Sequence, residues 1–211
     1  MYQNPSETSI YFFTATILNW NHLLAEDKYK NIILESLLHL HTKRNVKIYA
    51  FVIMPNHIHL IWKIEGVVGA DTNIGGGDNK QNIVGDKTNN GSDAAITNNG
   101  GRERENVQRD FLKFTGQQIL FDVKKNNLAM AEKLFVNAKD RNYQVWERNS
   151  FSFELYKDDT FFQKLNYVHS NPCNEKWKLS ERSEDYFYSS ANFYLTGKKD
   201  FQFLTDYHLT M

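Results

Sequence analysis

One stretch of the sequence, residues 66–101, divides the chain and limits what the remainder can fold into. It holds nine of the 11 glycines and seven asparagines, but no aromatic residue. Such a composition buries too little apolar surface to offset the conformational entropy lost on ordering. We therefore predict a flexible low-complexity insertion here. Neither flank looks complete alone, so the 211 residues are expected to form a single domain that carries this insertion.

Charge and composition limit where the protein is expected to be located and which partners it can bind. Lys and Arg together number 25, as do Asp and Glu, so the formal net charge is zero. A protein that coats nucleic acid non-specifically is normally basic, so that mode of binding is disfavoured while a local basic groove is not. The single cysteine, Cys173, excludes an intramolecular disulfide and fits a reducing compartment. No apolar stretch of about 18 residues and no export signal is found. A cytoplasmic protein without a membrane partner is expected.

Hydrophobic patterning predicts the fold class. Before the insertion the order is strand, helix, strand, strand, and after it the pattern is mainly helical. An antiparallel hairpin among strands and helices in this order favours an α+β fold, a ferredoxin-like sandwich with helices packed on a central antiparallel sheet. The predicted strands are 10–18, 46–54, 57–64 and a short one at 143–146. The predicted helices are 27–44, 110–125, 128–139 and 159–171.

Two histidines stand in the third predicted strand. Side chains alternate along a strand, so His57 and His59 project to one face while Ile58 projects to the other. The pair could be hydrogen-bonded histidines on a partly exposed sheet. It could equally be half of a metal site. No cysteine or further histidine lies at zinc-finger spacing nearby, so a metal here would have an incomplete ligand set, which is typical of catalytic sites.

A second pair with the same spelling provides an internal comparison. His39 and His41 lie in a predicted helix. Residues two apart on a helix are turned by roughly 200° from each other, so these imidazoles cannot chelate one ion. Only the pair in the strand is a candidate metal site.

Tyr167 and Asn171 lie four residues apart in the last predicted helix, a spacing that places them on one face. A phenol is a competent nucleophile when a metal polarises its target. An amide oxygen suits Mg²⁺ or Mn²⁺ beside imidazoles. Pro172 biases Asn171 away from helical geometry, so its aim is not fixed by the pattern. The alternative is that Tyr167 is one of 11 tyrosines with packing roles; those competing on chemistry alone are Tyr143, Tyr156, Tyr186 and Tyr188.

These segments together resemble a known family. The sequence contains MPNHIHLIW and, downstream, NYVHSNP. Further blocks in the same order are YFFTATILNW, FLKFTGQQI, VWERNSF and EDYFYSSANFY. The pattern resembles that of the HUH-motif single-tyrosine transposases, in particular the REP-associated tyrosine transposases. The likeness covers nearly the whole chain except the insertion. The block after the tyrosine departs from the family pattern, because NPCNEKW replaces NPV followed by a basic residue and a glycine.

The resemblance implies specific roles for the residues that match it. It implies that His57, His59 and Asn171 bind a divalent metal, Mg²⁺ or Mn²⁺. It further implies that Tyr167 attacks a phosphodiester of single-stranded or hairpin DNA. The products would be a 5′-phosphotyrosine and a free 3′-hydroxyl, whose reversal joins strands. Relatives include both dimers and monomers, so a homodimer is one expected assembly.

Contacts to DNA are less sharply predicted. Lysines on the later helices, above all Lys113, Lys124 and Lys164, are candidates for a strand-binding groove, although dispersed helical lysines commonly form a solvated face. Trp20, Trp62 or Trp146 could stack on a base or pack in the core.

Two other functions remain open from the sequence. One is a catalytically decayed or domesticated protein that binds hairpin DNA without cutting it. The other is a ferredoxin-like RNA-binding protein, which would need exposed aromatic side chains on the sheet surface where the histidines are expected.

Overall fold

The computed structural model describes residues 9–65 and 99–209, with only the backbone described for 99–103. Residues 66–98 of the predicted insertion therefore lie outside the described residues. Its last three residues, 99–101, belong to a helix. The described strands are β1 (Ile10–Thr16), β2 (Val46–Ile53), β3 (His57–Ile64), β4 (Phe135–Ala138), β5 (Arg141–Tyr143) and β6 (Phe151–Glu154). The described α-helices are α1 (Asp27–Arg44), α2 (Asn99–Asn126), α3 (Leu128–Lys133), α4 (Asp158–Ser170) and α5 (Ala191–Thr196).

A four-stranded antiparallel sheet, in the order β2-β3-β1-β6, forms the centre of the described part of the chain. Helix α1 connects β1 to β2, and a tight turn connects β2 to β3. Helix α2 precedes β6 along the chain. This order of strands and helices is the ferredoxin-like arrangement. The predicted α+β fold, with helices packed on a central antiparallel sheet, is confirmed.

The sheet is apolar on both faces, and each face has its own cover. Phe13, Leu60 and Trp62 project to the face on which α1 and α2 pack, and all three are fully buried. Phe12 and Ile61 project to the opposite face, against Phe161 and other apolar residues of α4. Burial of apolar surface on two sides makes the middle strands rigid supports for any side chain that they carry.

Four elements differ from the sequence prediction. The helix predicted from 110 begins at Asn99, and Val107, four residues before Phe111, extends its buried face toward the N-terminus. The helix predicted over 128–139 ends at Lys133, because Phe135 turns into β4 and packs across the hairpin on Tyr143, with ring centroids 5.4 Å apart. The short strand predicted at 143–146 is instead β5, three residues long and ending at Tyr143. Strand β6 was not predicted. It is a four-residue edge strand with much exposed surface, so it lacks the burial alternation that marks longer strands.

Helix α2 supports the loop that follows β1 through one buried hydrogen bond. The indole Nε1–H of Trp146 donates to Thr115 Oγ1 at 3.0 Å, and both residues are buried. Gly116 allows this approach, since a Cβ there would lie 3.3 Å from the Trp146 ring. Next to Trp146, the carbonyl of Val145 accepts the N–H of Leu18 at 2.8 Å. The hydrogen bond therefore helps to fix the chain after β1.

Replacing Thr115 by valine is expected to lower the free energy of unfolding by about 1–3 kcal/mol, because the nearly isosteric change leaves the Trp146 N–H buried without an acceptor. Urea denaturation measures the change. The matched control is Thr42→Val on α1, an exposed threonine whose hydroxyl donates to the Leu38 carbonyl. We expect that change to stay within about 0.5 kcal/mol. Equal losses in the two variants would contradict a role for the Thr115–Trp146 bond.

None of the described helices is long and apolar enough to span a membrane.

Candidate active site

The two histidines of β3 project from the sheet face that α4 covers. In the register of the sheet His57 pairs with Thr16 and His59 with Thr14 of β1. Their ring centroids are 4.7 Å apart, and both side chains are buried. Ile58 projects to the opposite face and is fully buried there, as the alternation of the strand requires. The other pair behaves differently: His41 bonds through Nδ1 to the Val46 carbonyl at 3.1 Å, while His39 is exposed on α1.

The turn residue Asn56 determines which nitrogen of His57 is protonated. His57 Nδ1 lies 2.7 Å from Asn56 Oδ1. An amide oxygen only accepts, so Nδ1 carries the proton and donates it. The amide orientation is itself fixed, because Asn56 Nδ2 donates to the Trp20 carbonyl at 3.1 Å. The Nε2 nitrogen of His57 is therefore left with a free lone pair. A histidine whose Nδ1–H is held by such a partner presents its Nε2 lone pair to a metal.

His59 and Asn171 each leave a buried polar atom without a partner. His59 Nδ1 is hydrogen-bonded to Thr14 Oγ1 at 2.7 Å, but its Nε2 is buried and unpaired. The side-chain Oδ1 of Asn171 is likewise buried and unpaired. Buried polar groups are seldom left unsatisfied, so such atoms call for a ligand. Imidazole nitrogens and an amide oxygen are a donor set that fits a divalent metal.

The electrostatics also favour neutral imidazoles. Burial and, to a smaller extent, the charge of Lys176 lower the pKa of His57 to about 4, partly opposed by the side chain of Asn171. Burial lowers the pKa of His59 to about 3, with smaller contributions from His57 and Lys164. Both rings are therefore neutral near pH 7, the state in which histidine binds metal. Within the described ranges no three His, Cys, Asp or Glu side chains cluster as metal ligands, so the amide of Asn171 would be needed.

Helix α4 brings Tyr167 to the histidine pair of the same chain. The ring centroid of Tyr167 is 5.0 Å from that of His59 and 6.1 Å from that of Phe12. Its side chain is 42% exposed, so the phenol is accessible from solvent. Lys164, one turn earlier, places its ammonium 5.3 Å from the Tyr167 ring centroid. An accessible hydroxyl and a cation thus lie together beside the histidines.

The end of α4 differs from the sequence prediction at Asn171. Asn171 keeps helical angles, φ −54° and ψ −44°, although Pro172 follows, because it begins a 3₁₀ turn over Asn171–Cys173. His169, on the other side of the helix, is buried, and its Nε2 is hydrogen-bonded to Ser190 Oγ at 2.9 Å. Helical geometry through Asn171 keeps it on the same face as Tyr167, so both line one cleft.

The cleft has a volume of about 500 Å³ and holds the predicted residues His57, His59, Tyr167, Asn171 and Lys164. The other two predicted lysines lie elsewhere. Lys113 is exposed in a separate groove between α2 and the segment around Trp146, and the ammonium of Lys124 is 3.8 Å from the ring centroid of Tyr143. Their contact with DNA stays a prediction, and the cleft itself does not include them.

Three tryptophans were candidates for stacking, and the structure separates them. Trp62 and Trp146 are buried in the core, whereas Trp20 is 58% exposed and lines the cleft. Two neighbours in the cleft, Lys176 and Trp177, were not predicted. The sequence did distinguish this segment, since both residues belong to the block NPCNEKW, which departs from the family pattern.

Trp20 is held in an unusual backbone conformation. Asn19 and Trp20 have φ angles of 55° and 56°, in the left-handed region. For non-glycine residues this costs about 1–3 kcal/mol each, and such strain is concentrated at functional sites. Hydrogen bonds over-determine the conformation: Asn19 N–H donates to Glu147 Oε1 at 2.7 Å, and Asn56 Nδ2 donates to the Trp20 carbonyl. Asn56 therefore positions both His57 and Trp20.

Replacement of Asn56 by alanine is expected to lower the affinity for Mn²⁺ about 10- to 100-fold, because His57 loses the partner that fixes its tautomer and ring orientation. Titration calorimetry of the purified protein measures the change. The control is Asn21→Ala, which removes a hydrogen bond to the Leu18 carbonyl in the same loop but touches neither histidine. Unchanged Mn²⁺ affinity in Asn56→Ala would show that this amide does not orient His57.

Comparison with known proteins finds a similar solved structure but no match among family models or curated proteins. No family model matches the sequence, and no curated protein matches it. One solved structure to which it is similar is that of a REP-associated tyrosine transposase bound to a REP hairpin. The two are 14% identical with a TM-score of 0.48, over 91% of this chain and 84% of that chain. A likeness this distant shows neither a family nor an activity, so function has to be argued from the cleft.

Proposed function

We propose that this protein is a metal-dependent transposase that cleaves and rejoins single-stranded DNA at hairpin-marked ends through a 5′-phosphotyrosine intermediate. The observation that carries the proposal is the cleft itself. An accessible tyrosine, Tyr167, lies against His59 of the same chain, and two buried polar atoms, His59 Nε2 and Asn171 Oδ1, are left without partners. The sequence blocks that resemble the REP-associated tyrosine transposases support the same assignment.

In this proposal His57, His59 and Asn171 hold a divalent cation, Mg²⁺ or Mn²⁺. When bound, the cation would polarise a phosphodiester and stabilise the negative charge that develops on it. Asn56 and Thr14 hold the two imidazoles in place through their Nδ1 atoms. Because the tyrosine and the histidines share a cleft within one chain, the chemistry does not require a homodimer.

The proposed reaction uses Tyr167 as the nucleophile. Its phenolic oxygen attacks the phosphorus and gives up its proton to water in the open cleft. The bond from phosphorus to the 3′-oxygen of the upstream nucleotide breaks, and that oxygen takes up a proton and leaves as a 3′-hydroxyl. The ammonium of Lys164 favours the charge that builds on the phenolic oxygen. Attack by a 3′-hydroxyl on the phosphotyrosine reverses these steps and joins strands without a further energy source.

A strand-transfer assay with a labelled hairpin oligonucleotide and Mn²⁺ tests the proposal. We expect an adduct that survives denaturation, carries a label placed at the 3′ end of the DNA and is absent with EDTA. A label placed at the 5′ end should be released on a fragment with a free 3′-hydroxyl. An adduct carrying the 5′ label would refute the stated polarity. Binding of the hairpin without any adduct under Mg²⁺ or Mn²⁺ would instead favour a decayed or domesticated binding protein.

A further inference from the structure

The cleft has two ends, and the proposed reaction uses only one of them. Tyr167 and Lys164 lie at the end next to His59. At the end next to His57 stand Trp20, Lys176 and Trp177, to which the proposed chemistry gives no role. The charge of Lys176 acts on His57 and that of Lys164 acts on His59, as expected if the two cations lie at different ends.

The His57 end is built as an aromatic wall with a cation on it. The ring centroids of Trp20 and Trp177 lie 6.3 Å and 5.7 Å from that of His57. The ammonium of Lys176 is 5.6 Å from the Trp20 ring centroid and 5.4 Å from the Trp177 ring centroid. Trp20 is exposed, and Trp177 is partly buried against the apolar core on the α4 side of the sheet. Aromatic rings that reach solvent beside a cation are the side chains on which proteins stack the bases of single strands and neutralise their phosphates.

Packing alone does not account for Trp20, the exposed ring of this wall. Trp20 is 58% exposed, so it contributes little to the core, yet the chain holds it in a left-handed conformation secured by Asn56 and Glu147. The backbone at Trp177, which forms the other side of the wall, is also fixed, since the Asn174 carbonyl accepts the N–H groups of Trp177 and Lys178 at 2.9 Å each. Rigid presentation of the exposed Trp20 ring to solvent, beside the partly exposed Trp177 ring and a candidate catalytic centre, points to a ligand that covers the wall.

We propose that Trp20, Lys176 and Trp177 form a subsite that stacks a nucleobase of single-stranded DNA immediately 5′ of the phosphate that Tyr167 attacks. This inference rests on the proposed function for its orientation. In an in-line displacement the leaving oxygen departs on the side opposite the nucleophile. Tyr167 stands at the His59 end, so the nucleotide that leaves with the 3′-hydroxyl is placed at the His57 end. Its base meets the two indoles, and Lys176 neutralises a phosphate of that strand.

The first test measures binding without chemistry. It uses Tyr167→Phe protein in EDTA and a fluorescein-labelled oligodeoxythymidylate, followed by anisotropy. Adding Trp20→Ala should weaken binding about 5- to 150-fold, the range found when one stacking ring is removed. Trp20→Phe should restore most of the affinity, because a ring remains. Phe121→Ala is the matched control, since Phe121 is an exposed aromatic residue of α2 outside the cleft, and it should leave binding unchanged.

The lysine has a separate signature in the same assay. Lys176→Gln should reduce the slope of log affinity against log salt concentration by about 0.7, as expected for one phosphate contact to a single strand. A Trp20→Ala effect no larger than that of Phe121→Ala would overturn the subsite. Tighter binding of the matching oligoribonucleotide than of the DNA would overturn its assignment to DNA.

The second test decides the orientation. On an oligonucleotide that the wild-type protein nicks, one base at a time is replaced by an abasic site, and Tyr167→Phe and Tyr167→Phe/Trp20→Ala proteins are compared. Loss of the base immediately 5′ of the nick should weaken binding by the first protein but not by the second. If instead the loss of a base 3′ of the nick weakens binding by the first protein and not by the second, the orientation is refuted and the subsite is kept. If the wild-type protein nicks no DNA, the proposed function and the orientation fail together, and the first test still decides whether the wall binds bases.

Discussion

Tyr167→Phe is expected to abolish covalent capture of DNA while leaving DNA binding within about twofold of the wild-type affinity. The substitution removes only the phenolic oxygen, and the ring can keep its contacts with Phe12 and His59. Loss of a nucleophile typically costs about 10⁴-fold or more in rate. The adduct yield on a labelled hairpin oligonucleotide with Mn²⁺ measures the first quantity, and fluorescence anisotropy in EDTA measures the second.

The matched control for the nucleophile is Tyr156→Phe. Tyr156 is also exposed, at 69%, and does not line the cleft. We expect its adduct yield to equal that of the wild type. The other competing tyrosines are occupied elsewhere; Tyr186, for example, donates its hydroxyl to the Ile53 carbonyl. An adduct that persists in Tyr167→Phe and maps to another tyrosine would assign the nucleophile to that residue.

Residues on regular elements could be predicted because the element fixes their direction. The bounds of α1 and β3 agree with the sequence prediction, and the alternation of β3 placed His57 and His59 on one face. Helical spacing likewise placed Tyr167 and Asn171 together. Sequence periodicity carries this information because a strand and a helix each have a single repeat. Periodicity does not tell which other element packs against His57 and His59. In this structure that element is α4.

The His57 end of the cleft could not be predicted in the same way. Trp20 owes its position to two left-handed residues and to the side chain of Asn56, which is distant in sequence. Trp177 owes its position to backbone hydrogen bonds of a tight turn. Neither conformation has a periodic signature, and bulky residues seldom adopt left-handed angles. Long-range hydrogen bonds, rather than local propensity, decide this half of the site.

His59→Leu is expected to have opposite effects on metal binding and on stability. Leucine is close to histidine in volume and removes the unpaired Nε2 atom, whose burial is unfavourable. Because Thr14 is partly exposed and lines the open cleft, its hydroxyl can turn to water when its bond to Nδ1 is lost. The free energy of unfolding without metal should therefore rise by about 1 kcal/mol. The affinity for Mn²⁺ should fall by more than about 100-fold, since a ligand and not merely its support is removed.

Urea denaturation with EDTA and with excess Mn²⁺ separates the two effects. In the wild type, Mn²⁺ at about 100 times its Kd should raise the free energy of unfolding by about 2.7 kcal/mol, because it binds only the folded state. In His59→Leu the two curves should coincide. The control is His39→Leu on α1, an exposed histidine of the pair that cannot chelate, which should keep the wild-type response to Mn²⁺. A metal response that survives in His59→Leu would show that His59 is not a ligand, and a loss of stability in EDTA would show that its Nε2 atom is not a source of strain in the metal-free protein.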